Sequence, residues 1–356
     1  MTDEDFAVFR ILDANLNRAS EGLRVAEEHA RFVLNDSHLT SMAKGLRHQL
    51  AELAAGLDVD GRLACRNATG DVGLQVTTES ESQRDSTAAV GVAAVKRAQQ
   101  ALRCIEEYGK RISSSAAAQC EQLRYATYTL EQTLHTATQM QQTFSGRQLY
   151  VLIDKGSSEP EFEDLVRCLV AAEVGVLQLR DKQATDRELL GRARTLCRLT
   201  RGTGTLAIVN DRPDIARLAG ADGVHVGQDE LSVSDVRQIV GPRMLIGVST
   251  HTIEQAREAV VQGANYIGCG PTFPSGTKHF EQFSGLEFLQ QVAAEIRLPA
   301  FAIGGITADN LPQVLACGVE RVAVSGAVIR ADSPGSAAGA LQVQLRAVAD
   351  ADSPRR

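Results

Sequence analysis

The chain has 356 residues, of which 44% are apolar and 23% charged, with a mean hydropathy of -0.12. This composition excludes wholesale disorder and a collagen-like repeat, and the length favours two domains. A net charge of -7 with a pI near 5.6 excludes a broad basic surface for nucleic acid, yet leaves room for local cationic pockets that take small anions.

The opening MTDEDFAVFR is acidic where a presequence would be basic, and no apolar run reaches the roughly 20 residues that span a membrane. A cytoplasmic protein is expected. Seven scattered cysteines, none in a C-x-x-C pair, read as packing thiols.

Up to about residue 146 the chain has no proline and follows a helical period. Leu12, Leu16, Ala19, Leu23, Ala26, Ala30 and Val33 recur at spacings of four and three, which places them on one helix face. RASEGLRVAEE at 18–28 returns as RAQQALRCIEE at 97–107, and LRH at 46–48 returns as LRY at 123–125. An internally duplicated all-helical domain over 1–135 is expected, with Arg24 and Arg103 as the cations of a shared, carboxylate-lined cleft. The alternative for each Arg and its i+4 Glu is a solvated pair on a helix surface. The polar stretch 136–146 reads as a linker.

From 147 to 356 short β-branched runs alternate with helical segments. The runs are QLYVLID (148–154), VGVLQLRD (174–181), TLAIVND (205–211), GVHVGQ (223–228), MLIGVS (244–249), YIGCGP (266–271), PAFAIGG (299–305) and VAVSGA (322–327). Eight such units point to an α/β fold of the (β/α)8 TIM-barrel type, with a doubly wound sheet as the alternative. Chemistry then belongs at the C-terminal ends of the strands. There, period-two alternation sends Gln178, Arg180 and Lys182 to one side, which suits a polyphosphate. Asn210-Asp211 and Gln228-Asp229-Glu230 offer oxygen ligands of the kind magnesium prefers. The loop 270–278 and the pairs Gly304-Gly305 and Ser325-Gly326 offer hydroxyls and backbone N–H groups to a phosphate, with Lys278 alongside. Two anion sites imply two phosphorylated substrates. His225, within a strand, and His251, at a helix start, read as structural.

QLRDK, the Asn-Asp strand end, GVHVGQDE, GVSTH, GPTFPSGTK, AIGGIT and VSGA, in that order, resemble the thiamine phosphate synthase family across 147–345. The resemblance implies a transferase that joins hydroxymethylpyrimidine diphosphate to hydroxyethylthiazole phosphate and releases pyrophosphate. It implies that Gln178, Arg180, Asp181, Lys182, Asn210, Ser249 and Lys278 hold the pyrimidine diphosphate, with Arg180, Lys182 and Lys278 catalytic. It places the thiazole phosphate at Ser275, Gly276, Thr277, Gly305, Val324 and Ser325. Asp211 and Glu230 would hold Mg2+, with Asp229 the alternative to Glu230, since the family carries Asp at that position. RILDANLNRASEGLRVAEE and NATGDVG resemble the helical module fused ahead of this synthase in some bacteria, which implies a hydroxymethylpyrimidine phosphate kinase; an assembly module is the alternative. The runner-up readings are a thiazole tautomerase-like barrel and a non-enzymatic phosphate sensor. Expected partners are small phosphorylated molecules, without nucleic acid or membrane, and a homo-oligomer stays open. The fragment 146–356 is expected to work alone.

Overall fold

The computed structural model describes residues 2–67, 84–153, 158–274 and 284–352, and the side chains of these up to residue 347. Two compact units divide the chain, Met1–Thr138 and Gln139–Arg356.

The first unit is helical. Helix α1 (Asp3–Glu28) starts on a capping box in which Thr2 and Asp5 exchange hydrogen bonds, satisfying two of the N–H groups a helix start leaves open. It runs into one π-helical turn, His29–Val33. The wider turn explains the one departure from the apolar stripe: Val33 is 50% exposed, and Leu34, at 7%, takes its place in the core. Helices α2 (Ser37–Ala55) and α3 (Val59–Ala64) follow, then α4 (Thr87–Gly109) and α5 (Ser114–Thr143). The helices α1 and α4 approach closely at Gly22, where a Cβ would stand 2.6 Å from the Ala94 carbonyl oxygen. Glycine inside a helix costs about 1 kcal/mol relative to alanine, and here it permits that approach.

The duplication appears as repeated chemistry. Arg47 of α2 donates to the buried Glu27 of α1 at 2.8 Å, and Arg124 of α5 donates to the buried Glu106 of α4 at 2.8 Å. Each carboxylate is thus drawn inside with its own guanidinium, and deleting one member of such a pair leaves a buried charge at a cost of about 3–5 kcal/mol. Arg24 pairs with Glu27 and Glu28, and Arg103 with Glu106 and Glu107. Each faces the acids of its own copy and is more than half exposed, as in the solvated alternative.

The second unit is a closed parallel barrel in the order β1-β2-β3-β4-β5-β6-β7-β8, which bears out the TIM-barrel expectation over the doubly wound one. Its strands are β1 (Leu149–Ile153), β2 (Val176–Leu179), β3 (Leu206–Asn210), β4 (Gly223–Val226), β5 (Leu245–Thr250), β6 (Tyr266–Cys269), β7 (Ala300–Ile303) and β8 (Val322–Val324). Helices α6 (Glu159–Ala171), α7 (Asp186–Thr200), α8 (Pro213–Ala219), α9 (Val233–Val240), α10 (Ile253–Val261), α11 (Gly285–Glu295), α12 (Leu311–Leu315) and α13 (Gly326–Ile329) follow the strands in turn, and α14 (Pro334–Asp352) ends the described chain. The strands are almost continuously apolar because both faces are covered, one by helices and one by the barrel's own interior.

The segment read as a linker, 136–146, is mostly the end of α5, which crosses the division between the units. Just beyond it Phe144 is fully buried, its ring 5.3 Å from that of Tyr266 and 5.7 Å from that of Phe301. The fragment 146–356 would therefore lose a core aromatic. Phe144→Ala is expected to destabilise the barrel by about 3–5 kcal/mol. Urea unfolding should show this, and a fragment beginning at Gln139 should be markedly more stable than one beginning at 147; equal midpoints would mean that the Phe144 ring contributes little.

Candidate active site

Polar side chains occur in the barrel interior where the strands otherwise carry aliphatic ones. They form one chain of hydrogen bonds across it. Gln178 Nε2 on β2 donates to Tyr150 Oη on β1 at 2.8 Å, and Tyr150 Oη lies 3.1 Å from Tyr266 Oη on β6. Tyr266 Oη is 3.2 Å from Nδ1 of His225 on β4, whose Nε2 is 3.0 Å from Ser249 Oγ on β5. Gly247 makes room: a Cβ there would stand 2.1 Å from the Tyr266 ring. Burial pushes both phenols above the ordinary tyrosine range, and it lowers His225 to about 4 despite the opposing charge of Asp211. The whole chain is uncharged near neutral pH.

Around this interior chain stand the charged groups of the strand ends. Arg180 is the first residue past the end of β2, and its guanidinium forms no hydrogen bond or ion pair among the described residues. Lys182 Nζ is 3.2 Å from Asp211 Oδ2. Asp211 adopts φ +60°, unusual for a side-chain-bearing residue, and its N–H donates to the His225 carbonyl at 2.8 Å, which fixes the carboxylate at the end of β3. Asn210 is in register with His225. Glu230 turns back on the end of β4, where a Cβ on Gly227 would stand 2.3 Å from its Oε2. Asp229 is exposed.

Asp181, expected among the diphosphate-binding side chains, is turned into its own loop. Its Oδ1 accepts from the Gln183 and Ala184 N–H groups at 3.0 and 3.1 Å, and its Oδ2 accepts from Arg192 Nη1 at 2.7 Å. Those bonds shape the loop that carries Arg180 and Lys182.

Across the mouth, Gly304 and Gly305 both take positive φ, at 101° and 64°. That backbone accepts the chain returning from β6: Thr272 N–H donates to the Ile303 carbonyl and Phe273 N–H to that of Gly304, at 2.9 and 3.0 Å. Asn310 pins Gly305 through its carbonyl at 2.8 Å. At the end of β8, Val324 is buried and Ser325 precedes α13 with its hydroxyl buried and without a partner. Ser275, Gly276, Thr277 and Lys278 lie outside the described residues.

Gln178 Oε1, like the Ser325 hydroxyl, is buried without a partner among the described residues. An unsatisfied buried polar atom costs about 1–3 kcal/mol, and at the strand ends the Gln178 and Ser325 atoms are available to hydrogen-bond a ligand. Among the described residues there is no cluster of three or more His, Cys, Asp or Glu that could hold a metal. Two carboxylates completed by substrate phosphates and water are nevertheless a sufficient oxygen donor set for magnesium. Sequence reasoning passed over Tyr150, Tyr266 and the role of His225. The available signal was a polar-tipped side chain inside an aliphatic strand run.

Because His225 is neutral when folded and takes up a proton more readily when unfolded, low pH favours the unfolded state. Stability should be unaffected above pH 6.5 and fall as the pH drops from there toward about 4, by roughly 3 kcal/mol. Denaturant titrations of the wild type and His225→Gln between pH 7 and 4 should isolate this component; parallel losses in both proteins would exclude His225 as its source.

The chain's likeness to known proteins covers both units. Residues 149–328 match the family model for thiamine monophosphate synthase, and residues 10–133 match that of the ThiD2 family. A thiamine-phosphate synthase of Rhodopirellula baltica is 47% identical over 91% of this chain and 89% of its own length. One from Gloeobacter violaceus is 40% identical over 93% of this chain and 95% of its own. The solved thiamine phosphate pyrophosphorylase of Pyrococcus furiosus superposes with a TM-score of 0.52 at 34% identity, covering 57% of this chain and 97% of that one.

Proposed function

The chain belongs to the thiamine monophosphate synthase family, and from that premise we propose how its residues divide the work of joining a hydroxymethylpyrimidine diphosphate to a hydroxyethylthiazole phosphate. The observation that carries this reading is a guanidinium without a partner among the described residues, Arg180, two residues beyond Gln178, which begins the uncharged polar chain of the barrel interior. A charged leaving group needs the first and a flat, uncharged heterocycle needs the second.

In the reaction the C–O bond to the diphosphate breaks, pyrophosphate leaves with the electron pair, and the thiazole nitrogen forms the new C–N bond. Arg180 and Lys182 stabilise the charge growing on the leaving group, and Lys278 joins them from the β6 loop. Asp211 and Glu230 would hold magnesium, which would supply further charge neutralisation for the leaving group. Glu230 is preferred to Asp229 because its carboxylate is folded back against the strand end. Gln178, Asn210 and Ser249 orient the pyrimidine. The Gly305 backbone and Ser325 hydroxyl, with Val324 beside them, take the thiazole phosphate, and the resemblance adds Ser275, Gly276 and Thr277 to that set. Asp181 acts on the loop and not on the substrate. A thiazole tautomerase would leave Arg180 without an anion to bind. The helical unit, matched to the ThiD2 family, is read as phosphorylating hydroxymethylpyrimidine phosphate, which would produce the diphosphate that the barrel consumes.

Supplying both phosphorylated substrates with magnesium should yield thiamine phosphate, and Arg180→Ala should lower turnover by about two to three orders of magnitude. Near-wild-type single-turnover rates in that variant would remove Arg180 from the site. Glu230→Ala should raise the magnesium concentration needed for half-maximal rate while Asp229→Ala leaves it in place; the reverse pattern exchanges their roles. For the helical unit, hydroxymethylpyrimidine phosphate and a nucleoside triphosphate given to the full-length protein should form the diphosphate, and its absence would leave that unit an assembly module.

A further inference from the structure

The interior chain has a direction, and the direction determines what each end can offer. Five proton-bearing groups serve four links: the Gln178 amide, Tyr150, Tyr266, His225 and Ser249. With Gln178 Nε2 donating to Tyr150, the Tyr150 proton must go to Tyr266 and the Tyr266 proton to His225 Nδ1. With Nδ1 accepting from Tyr266, the ring carries its proton on Nε2 and gives it to Ser249 Oγ. The Ser249 proton is left to point away from the chain. At the other end Gln178 Oε1 is left as a buried acceptor, in agreement with its lack of a partner. Running the chain backwards also satisfies every link, but it strands both protons of the buried Gln178 amide nitrogen. Buried donors are left orphaned more rarely than carbonyl oxygens, so the forward direction is favoured.

We propose that Tyr150, Tyr266 and His225 are positioning residues that lock Gln178 as a hydrogen-bond acceptor and Ser249 as a donor, so that the site selects a heterocycle bearing an exocyclic amine and rejects its oxo counterpart. The proposal rests on the reading that this site takes the aminopyrimidine diphosphate. An amine donates to Gln178 Oε1; an oxo group would set two acceptors against each other, and the amide could not turn without reversing every proton in the chain. Sites built to hydrogen-bond a ligand group discriminate strongly against analogues that lack it.

Two measurements on the full-length protein test this. Long-range proton–nitrogen correlation spectra of histidine-labelled protein, with no ligand present, should show His225 as the Nε2–H tautomer with a bare Nδ1. An Nδ1–H tautomer overturns the proposal. Separately, turnover should be compared for hydroxymethylpyrimidine diphosphate and for its analogue carrying an oxo group in place of the exocyclic amine. Tyr266→Phe cuts the chain at its middle link while keeping the ring, and should narrow the wild-type preference for the amine by about tenfold, the worth of one net hydrogen bond. Binding of inorganic pyrophosphate, which depends on the strand-end cations, should stay at the wild-type level and so report an intact fold. Undiminished preference in a variant that still binds pyrophosphate refutes the proposal. If the wild type turns over neither pyrimidine, the reading of the site itself fails, and the tautomer still decides the direction of the chain.

Discussion

Closing eight strands into a barrel forces every second residue of each strand into one shared interior, and whatever polar atoms lie there must satisfy one another. That constraint governs the second unit. Tyr150, Gln178, His225, Ser249 and Tyr266 meet it by linking end to end, so that the interior needs no charge to satisfy them. A protonated His225 would have both ring nitrogens as donors and would break the donor–acceptor order of the chain. Burial keeps it neutral.

The helical unit solves a different problem with the same economy. A short duplicated sequence gives two copies of one arrangement, in which an acid on the first helix is drawn inward by an arginine on the second, Glu27 with Arg47 and Glu106 with Arg124. The copies have since diverged around that fixed pair. Arg124 also donates to Tyr128 and lies over the Tyr125 ring, contacts made by the second copy's own aromatic residues.

Much of this was legible in the chain. The eight strands follow from β-branched runs of six to eight residues punctuated by Gly and Pro, and the barrel from their regular spacing. The first helix was readable from its apolar stripe, except that no period-based argument anticipates a π-turn that moves Val33 out and Leu34 in. Rim residues could be proposed from position alone because the fold fixes which end of a strand carries chemistry. Asp181 shows where that logic stops: it sits among rim residues, but backbone amides two and three positions ahead, together with Arg192, claim its oxygens. The interior chain was hidden for a related reason. Its links join residues separated by 24 to 116 positions, and only closure of the barrel brings them within bonding distance.

The place of Phe144 bears on how such two-part chains arise and come apart. Proline and glycine usage changes at about residue 146, where a genealogist of domains would draw the join, but the ring that completes the barrel's aromatic cluster is carried on the helical side of that line. A recombination event cutting at the compositional border would separate the synthase from part of its own core. Successful fissions of the ancestral gene would have had to cut upstream, within α5, or else find a new side chain to fill the space. The seam visible in the letters of the sequence and the seam along which the protein can be inherited in pieces are therefore displaced by several residues.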